Sequence, residues 1–476
     1  MSLRDLSVVI PVFNKARELQ ICLDLLKKQS LPKNRWEVVI VDDGSTDESA
    51  SVANTICQSL TATVISLDGQ ARGAARARNV GARSANGKIL VFLDPDVLPC
   101  RVLLRAHLAT LSSNSRRVSL GYMYAVGYGP SDFHKEFGSD FDFAQLEASI
   151  SRANSIPLLQ DCRRCWADSR NGFETLPCPW AGCWSGNLAV WADEFFEAGG
   201  FDEEFRDRGA EDIELGYRLH SRGVSFQFNE EAQGFHFPHP IDDSRCQELD
   251  TTHYRQFLQK HPALEVELIA AFSCSEVNEA VRRLSQVLPL RHDPALAWEG
   301  LLQLTARIAP PGARVCFLGA LPPCSPPLEM GSVALLGISE WLLNLGSTAQ
   351  KGNKSGLLGM ATPFAFREFD VAIFLDAWTI LPTVMSEIML LECARISRTL
   401  FCVASSIVNP VEHGMPCKMF EDWVLDERCV APPIRGIRAV FSAVTTKEVY
   451  KEVQINLDGL DLGQNRSAES CQSILR

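Results

Sequence analysis

The sequence predicts an α/β chain whose first half is built on a doubly wound parallel sheet. Three observations point there. β-rich apolar runs alternate with amphipathic helical segments through residues 1–100, acidic residues stand where several of those runs stop, and a second alternating segment starts at residue 313. Strands spaced by helices pair in parallel, and ligands of such a sheet bind beyond the carboxyl ends of its strands. Asp42, Asp43 and Asp94 lie at such ends.

The elements follow in order. SVVIPVF is the first strand, too short for a targeting segment. ARELQICLDLLKKQS carries apolar residues at helical spacing and stops at Leu31-Pro32. WEVVIVDDG, TATVISL and KILVFLD read as the second to fourth strands, with ESASVANTICQSL and GAARARNVGARSAN as the intervening helices. Residues from about 101 to 180 are less regular, hold aromatics, glycines and cysteines, and suit a lid or acceptor-side region. Order returns with WSGNLAVWADEFFEAGGFDEEF; GAEDIELGYRLHSRG is then a short amphipathic helix stopped by Gly223, and VSFQFNE a strand leading to GFHFPHP. Beyond it the pattern is helical. ARVCFLGA, SVALLGIS, FDVAIFLDAW and TLFCVASS then read as strands of a second Rossmann-like α/β domain, and the C-terminus is polar and partly disordered in character. The expected boundaries are 1–245 for the first domain, 246–310 for a helical linker, 311–435 for the second domain and 436–476 for the tail.

A chain of 476 residues exceeds one ordinary core, in keeping with that division. Hydrophobic content of 46% and charged content of 22% are those of a soluble globular protein. A formal net charge of −12 argues against a general nucleic-acid binder, which needs basic surface to displace counterions from phosphates. No signal peptide is visible and no apolar run approaches the length of a bilayer span, so a cytoplasmic protein is expected. The 16 cysteines are scattered, many in apolar stretches such as RTLFCVASS, and read as small buried hydrophobes kept reduced. Cys162 and Cys165 form a CxxC followed by Cys178 and Cys183, a grouping that a structural zinc could use. The second pair is separated by four residues and no other finger signature accompanies it, so an ordered loop with free thiols is the preferred reading.

The stretch VFLDPDVLP ends an apolar run in Asp94 and Asp96, one residue apart. Two carboxylates at a strand end can share a hard divalent cation, and Mg²⁺ is commonly held by one or two carboxylates plus substrate phosphates. Alone, Asp-Pro-Asp would be a solvated turn. It is accompanied by IPVFNK, VDDGSTDES, ARNVGARSANGKILVFLDPD, SGNLAV, GGFDEEF and GAEDIELGYRLHSRG, in that order. The ordered set resembles the family 2 glycosyltransferases, which have the GT-A nucleotide-diphospho-sugar transferase fold with its Rossmann-like mixed sheet. GGFDEEFRDRGAEDIELGYRL also resembles the galactosyltransferase-type segment of polymerising and polypeptide-modifying relatives. The resemblance covers residues 5–240, about half the chain.

By that resemblance Pro11, in the first strand–helix turn, would border the nucleotide base, and Asp43 would accept a hydrogen bond from uracil or ribose. Gly73, Arg78 and Asn79 would border the donor, with Arg78 meeting a phosphate through a charge-assisted bond or standing as a surface helix arginine. Asp94 and Asp96 would form the metal motif for Mn²⁺ or Mg²⁺, with Asp96 the direct ligand and Asp94 on ribose or a metal-bound water. His236 and His239 are further ligand candidates, His236 preferred. Asp212 would be the catalytic base, with Glu211 positioning acceptor or base; the alternative is a charged first turn that favours the helix dipole. Trp184 and Asn187 would line the sugar pocket, and Trp180 would stack on an acceptor ring or belong to the core.

The second half looks like the strand order of a class I methyltransferase. Its glycine-rich first loop is replaced by GALPPCSPP, however, and Gly337 stands where an acid should hold ribose hydroxyls. A non-catalytic Rossmann-like domain is therefore expected. The whole reads as a metal-dependent glycosyltransferase moving a sugar from a nucleotide diphosphate, UDP above all, to a hydroxyl acceptor with inversion. Retention is the mechanistic alternative, and a bifunctional glycosyltransferase/methyltransferase and a dead nucleotide-sugar scaffold are the functional ones. The acceptor is an unidentified glycan, lipid-linked or peptide molecule, with peripheral membrane contact open and no nucleic-acid partner expected.

Overall fold

The computed structural model describes residues 4–287, with breaks at 57–58, 69–72, 113–115, 139–142, 167–171, 207–208 and 240–242. Beyond these it describes 305–306, 309–320, 333–338, 360–362, 364–375, 388–389, 392–393, 395–404 and 439–444. The chain divides into two compact units, the first reaching His253 and the second starting at Tyr254.

The first unit opens with β1 (Arg4–Val12), α1 (Ala16–Leu26), β2 (Trp36–Asp42), α2 (Ser49–Thr55), β3 (Ala62–Ser66), α3 (Ala74–Ser84) and β4 (Gly87–Leu93). These are the expected alternating elements. β3, β2, β1 and β4 lie side by side, all parallel. Every residue of β2 is buried, the mark of a parallel strand covered on both faces. Next come β5 (Val97–Pro99), α4 (Leu103–Ser112), β6 (Arg117–Tyr124), α5 (Pro130–Phe137), α6 (Leu146–Ala153), β7 (Asn187–Trp191), α7 (Ala192–Glu197), α8 (Glu211–Ser221) and β8 (Ser225–His236). The sheet order is β3-β2-β1-β4-β7-β6-β8-β5. β7 runs antiparallel to both β4 and β6, and β5 antiparallel to β8, so the sheet is mixed. The segment from about 101 to 180, read as less regular, thus supplies α4, α5, α6 and the sheet strand β6.

The parallel half delivers the ends of β1, β2 and β4 to one edge, and β5 then doubles back beneath Asp96. Val97 pairs with His236, and the Phe237 N–H donates to the Asp96 carbonyl at 2.7 Å. This pairing brings the end of β8 to the acidic turn.

The second unit includes α10 (Leu264–Phe272) and α11 (Val277–Val287), which follow α9 (Asp243–Lys260). It also contains β9 (Val315–Ala320), β10 (Val333–Ile338), β11 (Phe369–Leu375), β12 (Ser397–Ala404) and β13 (Ala439–Val444). Their order is β10-β9-β11-β12-β13, parallel except for β12 against β13. β13 corrects the polar-tail reading of residues 436–476: AVFSAV is a sheet strand. Residues 321–327, most of GALPPCSPP, lie outside the described residues. Among the described residues no helix is long and apolar enough to cross a membrane.

Candidate active site

Three pieces of chain meet at the carboxyl edge of the first sheet. The first is the Asp94-Pro95-Asp96 turn after β4. The second is the Trp184–Asn187 turn before β7: the Asp94 N–H donates to the Gly186 carbonyl at 3.1 Å, and the Ser185 N–H donates to Asp212 Oδ2 at 3.0 Å. This one turn therefore touches both acidic motifs. The third is the start of α8. Gly216 lets α8 lie close against residues 179–183, because a Cβ there would sit 2.6 Å from that of Cys183 and 2.8 Å from the Trp180 carbonyl oxygen.

Arg78 ties the motifs together. Its guanidinium donates to Asp94 Oδ1 at 2.8 Å and to Glu211 Oε1 at 2.9 Å. At 4% exposure it is not a surface arginine, and these bonds direct it to carboxylates where the resemblance implied a phosphate. Burial opposes its charge, but Asp94 and Glu211 outweigh that and raise its pKa. Glu211 Oε2 accepts from the Gly209 N–H at 3.1 Å, across a turn in which Gly209 has φ +110° and Ala210 φ +65°. A non-glycine residue in the left-handed region is held there by its surroundings.

Asp212 accepts from the N–H groups of Ser185 and Ile213 and from the Ser185 hydroxyl. Burial, and then the neighbouring Glu211 charge, push its carboxyl up to about 7 against the opposing Ser185 N–H, Arg78 and Ile213 N–H.

The other cluster consists of Asp96, His236 and His239, whose potential ligand atoms all lie within 4.8 Å of one another. It is the only group of three such side chains among the described residues. Asp96 Oδ2 is 3.5 Å from His239 Nε2 and 3.2 Å from Lys15 Nζ. Burial works to raise the Asp96 pKa, but His236, Lys15 and His239 bring it below the usual range. Burial lowers the His236 pKa against the opposing pull of Asp96, and its buried Nδ1 has no hydrogen-bond partner. A carboxylate and two imidazoles could together hold a divalent ion.

The other expected residues take the following places. Pro11 lies within β1, paired with Val41, and not in the turn beyond it. Asp94 stands outside the three-residue cluster, its Oδ1 turned to Arg78. Asn79 clamps the GGFDEEF loop, donating to Phe201 O and Glu203 Oε1 and accepting from the Phe201 N–H, so its polar atoms are engaged within the fold. Asn187 is fully buried: Nδ2 donates to the carbonyls of Tyr122 and Ala232, and Oδ1 meets His107 Nε2. It joins strands and does not line a pocket. Trp180 is core, edge-on to Tyr217. Trp184 is half-buried, with the Arg163 guanidinium 4.4 Å from its ring centre. Gly73 opens α3 and its N–H donates to Asp43 Oδ2 at 2.8 Å. Cys162, Cys165, Cys178 and Cys183 form no three-ligand group.

Two residues at the site escaped sequence reasoning, Ser185 and Lys15. Each stood inside a quoted motif, SGNLAV and IPVFNK, but neither serine nor lysine announces a contact to a carboxylate far away in sequence.

The first sheet is mixed and carries acidic motifs at one edge. Residues 7–162 match the family model for glycosyl transferase family 2, and residues 173–240 match that described as the N-terminal domain of galactosyltransferase. A validoxylamine A glucosyltransferase of Streptomyces hygroscopicus subsp. limoneus is 30% identical over 426 residues, 86% of this chain and 91% of that protein. A second, from Streptomyces hygroscopicus subsp. jinggangensis, is 34% identical over 268 residues, 56% of this chain and 63% of that protein. The chain belongs to glycosyl transferase family 2. Among solved structures, the mannosyltransferase PcManGT from Pyrobaculum calidifontis in complex with GDP-Man and Mn²⁺ is 20% identical with a TM-score of 0.39, over 65% of this chain and 81% of that one. S. aureus TarS 1-349 in complex with UDP-GlcNAc is 18% identical with a TM-score of 0.40, over 59% and 73%.

Proposed function

We infer that this protein transfers a sugar from a nucleoside diphosphate donor, UDP-linked in the first instance, to an acceptor hydroxyl with inversion at the anomeric carbon. The observation that carries the reading is the Arg78 bridge. It joins Asp94 to Glu211 and so sets the cation-binding turn and the elevated Asp212 carboxyl at one edge of one sheet.

Asp96, His236 and His239 would hold Mn²⁺, which when bound neutralises charge developing on the departing diphosphate. Asp43, buried at the end of β2, accepts a hydrogen bond from the uracil or ribose. Asp212 takes the acceptor's proton, and its raised pKa suits a base working near neutrality. Ser185 holds the Asp212 carboxylate in position, and Glu211, bound to Arg78, orients the acceptor side. Attack from the face opposite the leaving group then turns an α-linked donor into a β-glycoside. Glucose is the first sugar to test, because the relative covered over 91% of its length is named a glucosyltransferase of validoxylamine A. That name also makes validoxylamine A the first acceptor to test.

The test is Mn²⁺-dependent release of UDP from UDP-glucose, with and without candidate acceptors, in the wild type and in Asp96→Ala. Turnover should need the cation and vanish in the variant. Full turnover in the presence of chelator, or in Asp96→Ala, overturns the metal assignment.

A further inference from the structure

The two carboxylates of the Asp94-Pro95-Asp96 turn each have their own positive partner, and the partners differ in kind. Arg78 is bonded to two carboxylates, with its side chain 5% exposed. Lys15 makes a single ion pair among the described residues, 3.2 Å to Asp96 Oδ2, and its side chain is 26% exposed. A buried, doubly bonded guanidinium stays where it is, whereas a partly exposed ammonium on a four-carbon stem can leave at little cost.

The Lys15 backbone is fixed. Its N–H donates to Ser49 Oγ at 3.0 Å, and its carbonyl accepts from the Leu19 N–H at 2.9 Å. The neighbouring N–H groups of Asn14 and Ala16 donate to Ser45 Oγ and Asp47 Oδ2. Any movement therefore belongs to the side chain. Its ammonium shares Asp96 Oδ2 with His239 Nε2, so it stands at an oxygen of the three-ligand cluster. A divalent ion on that oxygen would lie within a few ångströms of the ammonium, where like charges repel strongly.

We propose that Lys15 is the counter-cation of the metal-free Asp96 site, displaced when a divalent ion binds and then turned onto the diphosphate of the incoming donor. The proposal rests on the reading of Asp96 as a metal ligand. It gives the site an order: metal expels lysine, and lysine meets the one group of opposite charge that arrives with the metal.

Calorimetric titration of the full chain with Mn²⁺, and then with UDP at saturating Mn²⁺, tests this. Lys15→Met removes the charge and keeps the stem and the backbone anchors, Lys15→Gln guards against a misfolded variant, and Lys15→Arg keeps the charge. Both neutral variants should bind Mn²⁺ about three- to tenfold more tightly and UDP about three- to tenfold more weakly than wild type. Lys15→Arg should stay within about twofold for both, and Asp96→Asn should lose Mn²⁺ binding. If Asp96→Asn loses Mn²⁺ while the neutral Lys15 variants match wild type for both ligands, the Lys15 proposal falls and the metal reading stands. If Mn²⁺ binds Asp96→Asn as it binds wild type, the metal reading falls and takes the proposal with it.

Discussion

A carboxyl group that is to accept a proton near neutrality has to be lifted from its ordinary range, and burial beside Glu211 does this for Asp212. Because the base works in its ionised form, kcat/KM should rise with pH through about 7 and level off above it. Stability runs the other way. The folded state holds this proton to a higher pH than the unfolded chain does, so the group's contribution is complete below the unfolded carboxyl range and is lost as pH rises through about 7. Asp212→Asn should keep donor affinity, lower turnover by about 10²- to 10⁴-fold and abolish the rise in the pH profile. Near-normal turnover with an unchanged profile would move the base elsewhere and favour retention. The acids of the site were legible in the sequence, because Asp43, Asp94, Asp96 and Asp212 stand at strand and helix ends where an apolar run has no use for them. Their partners were not. Arg78 and Asn79 are adjacent in one helix, yet one bridges two site carboxylates and the other clamps a loop, and nothing in residue type separates the two.

At the scale of elements, the junction of β6, β7 and β8 depends on Asn187. With its Oδ1 accepting, His107 Nε2 must carry the proton, and Nδ1 then accepts from the Ser119 hydroxyl. Burial lowers His107 to about 4, in keeping with a neutral ring. Asn187→Ala would leave the Tyr122 and Ala232 carbonyls and His107 without this partner, at a cost of about 2–4 kcal/mol. Urea unfolding should show that loss while the donor KM in the folded variant stays near wild type. An unchanged unfolding midpoint with a raised KM would return Asn187 to the sugar pocket. The parallel strands were legible because each is a continuous apolar run buried on both faces. β5 has only three residues, and β6, RVSLGYMY, mixes serine and glycine into its run, so neither shows a strand's pattern by itself. Their places come from pairing with β8, a long-range contact without a local signal.

At the scale of the whole molecule, every residue proposed for chemistry lies in the first unit, and the second has its own five-stranded sheet and buried polar network. Within that network Glu267 accepts from the Met360 N–H, and Glu392 accepts from the Thr362 N–H and hydroxyl and pairs with Arg395. The second sheet was foreseeable from its four apolar runs. β13 was not, because a lone AVFSAV in a polar stretch resembles chance until β12 is there to pair with it. Two units with separate cores should unfold in separable steps, and a ligand stabilises only the unit that binds it. Scanning calorimetry of the full chain should therefore resolve two transitions. UDP at about 100 times its dissociation constant, added to the Mn²⁺-saturated chain, should stabilise one of them by about 2.7 kcal/mol, a rise of about 5–10 °C, and leave the other in place. Chelator should cancel the rise, because UDP binding is read as dependent on the Asp96 cation. A single transition that moves as a whole would mean that the two units unfold cooperatively, and donor binding would then be felt throughout the second sheet. An equal rise without metal would remove the cation from donor binding altogether.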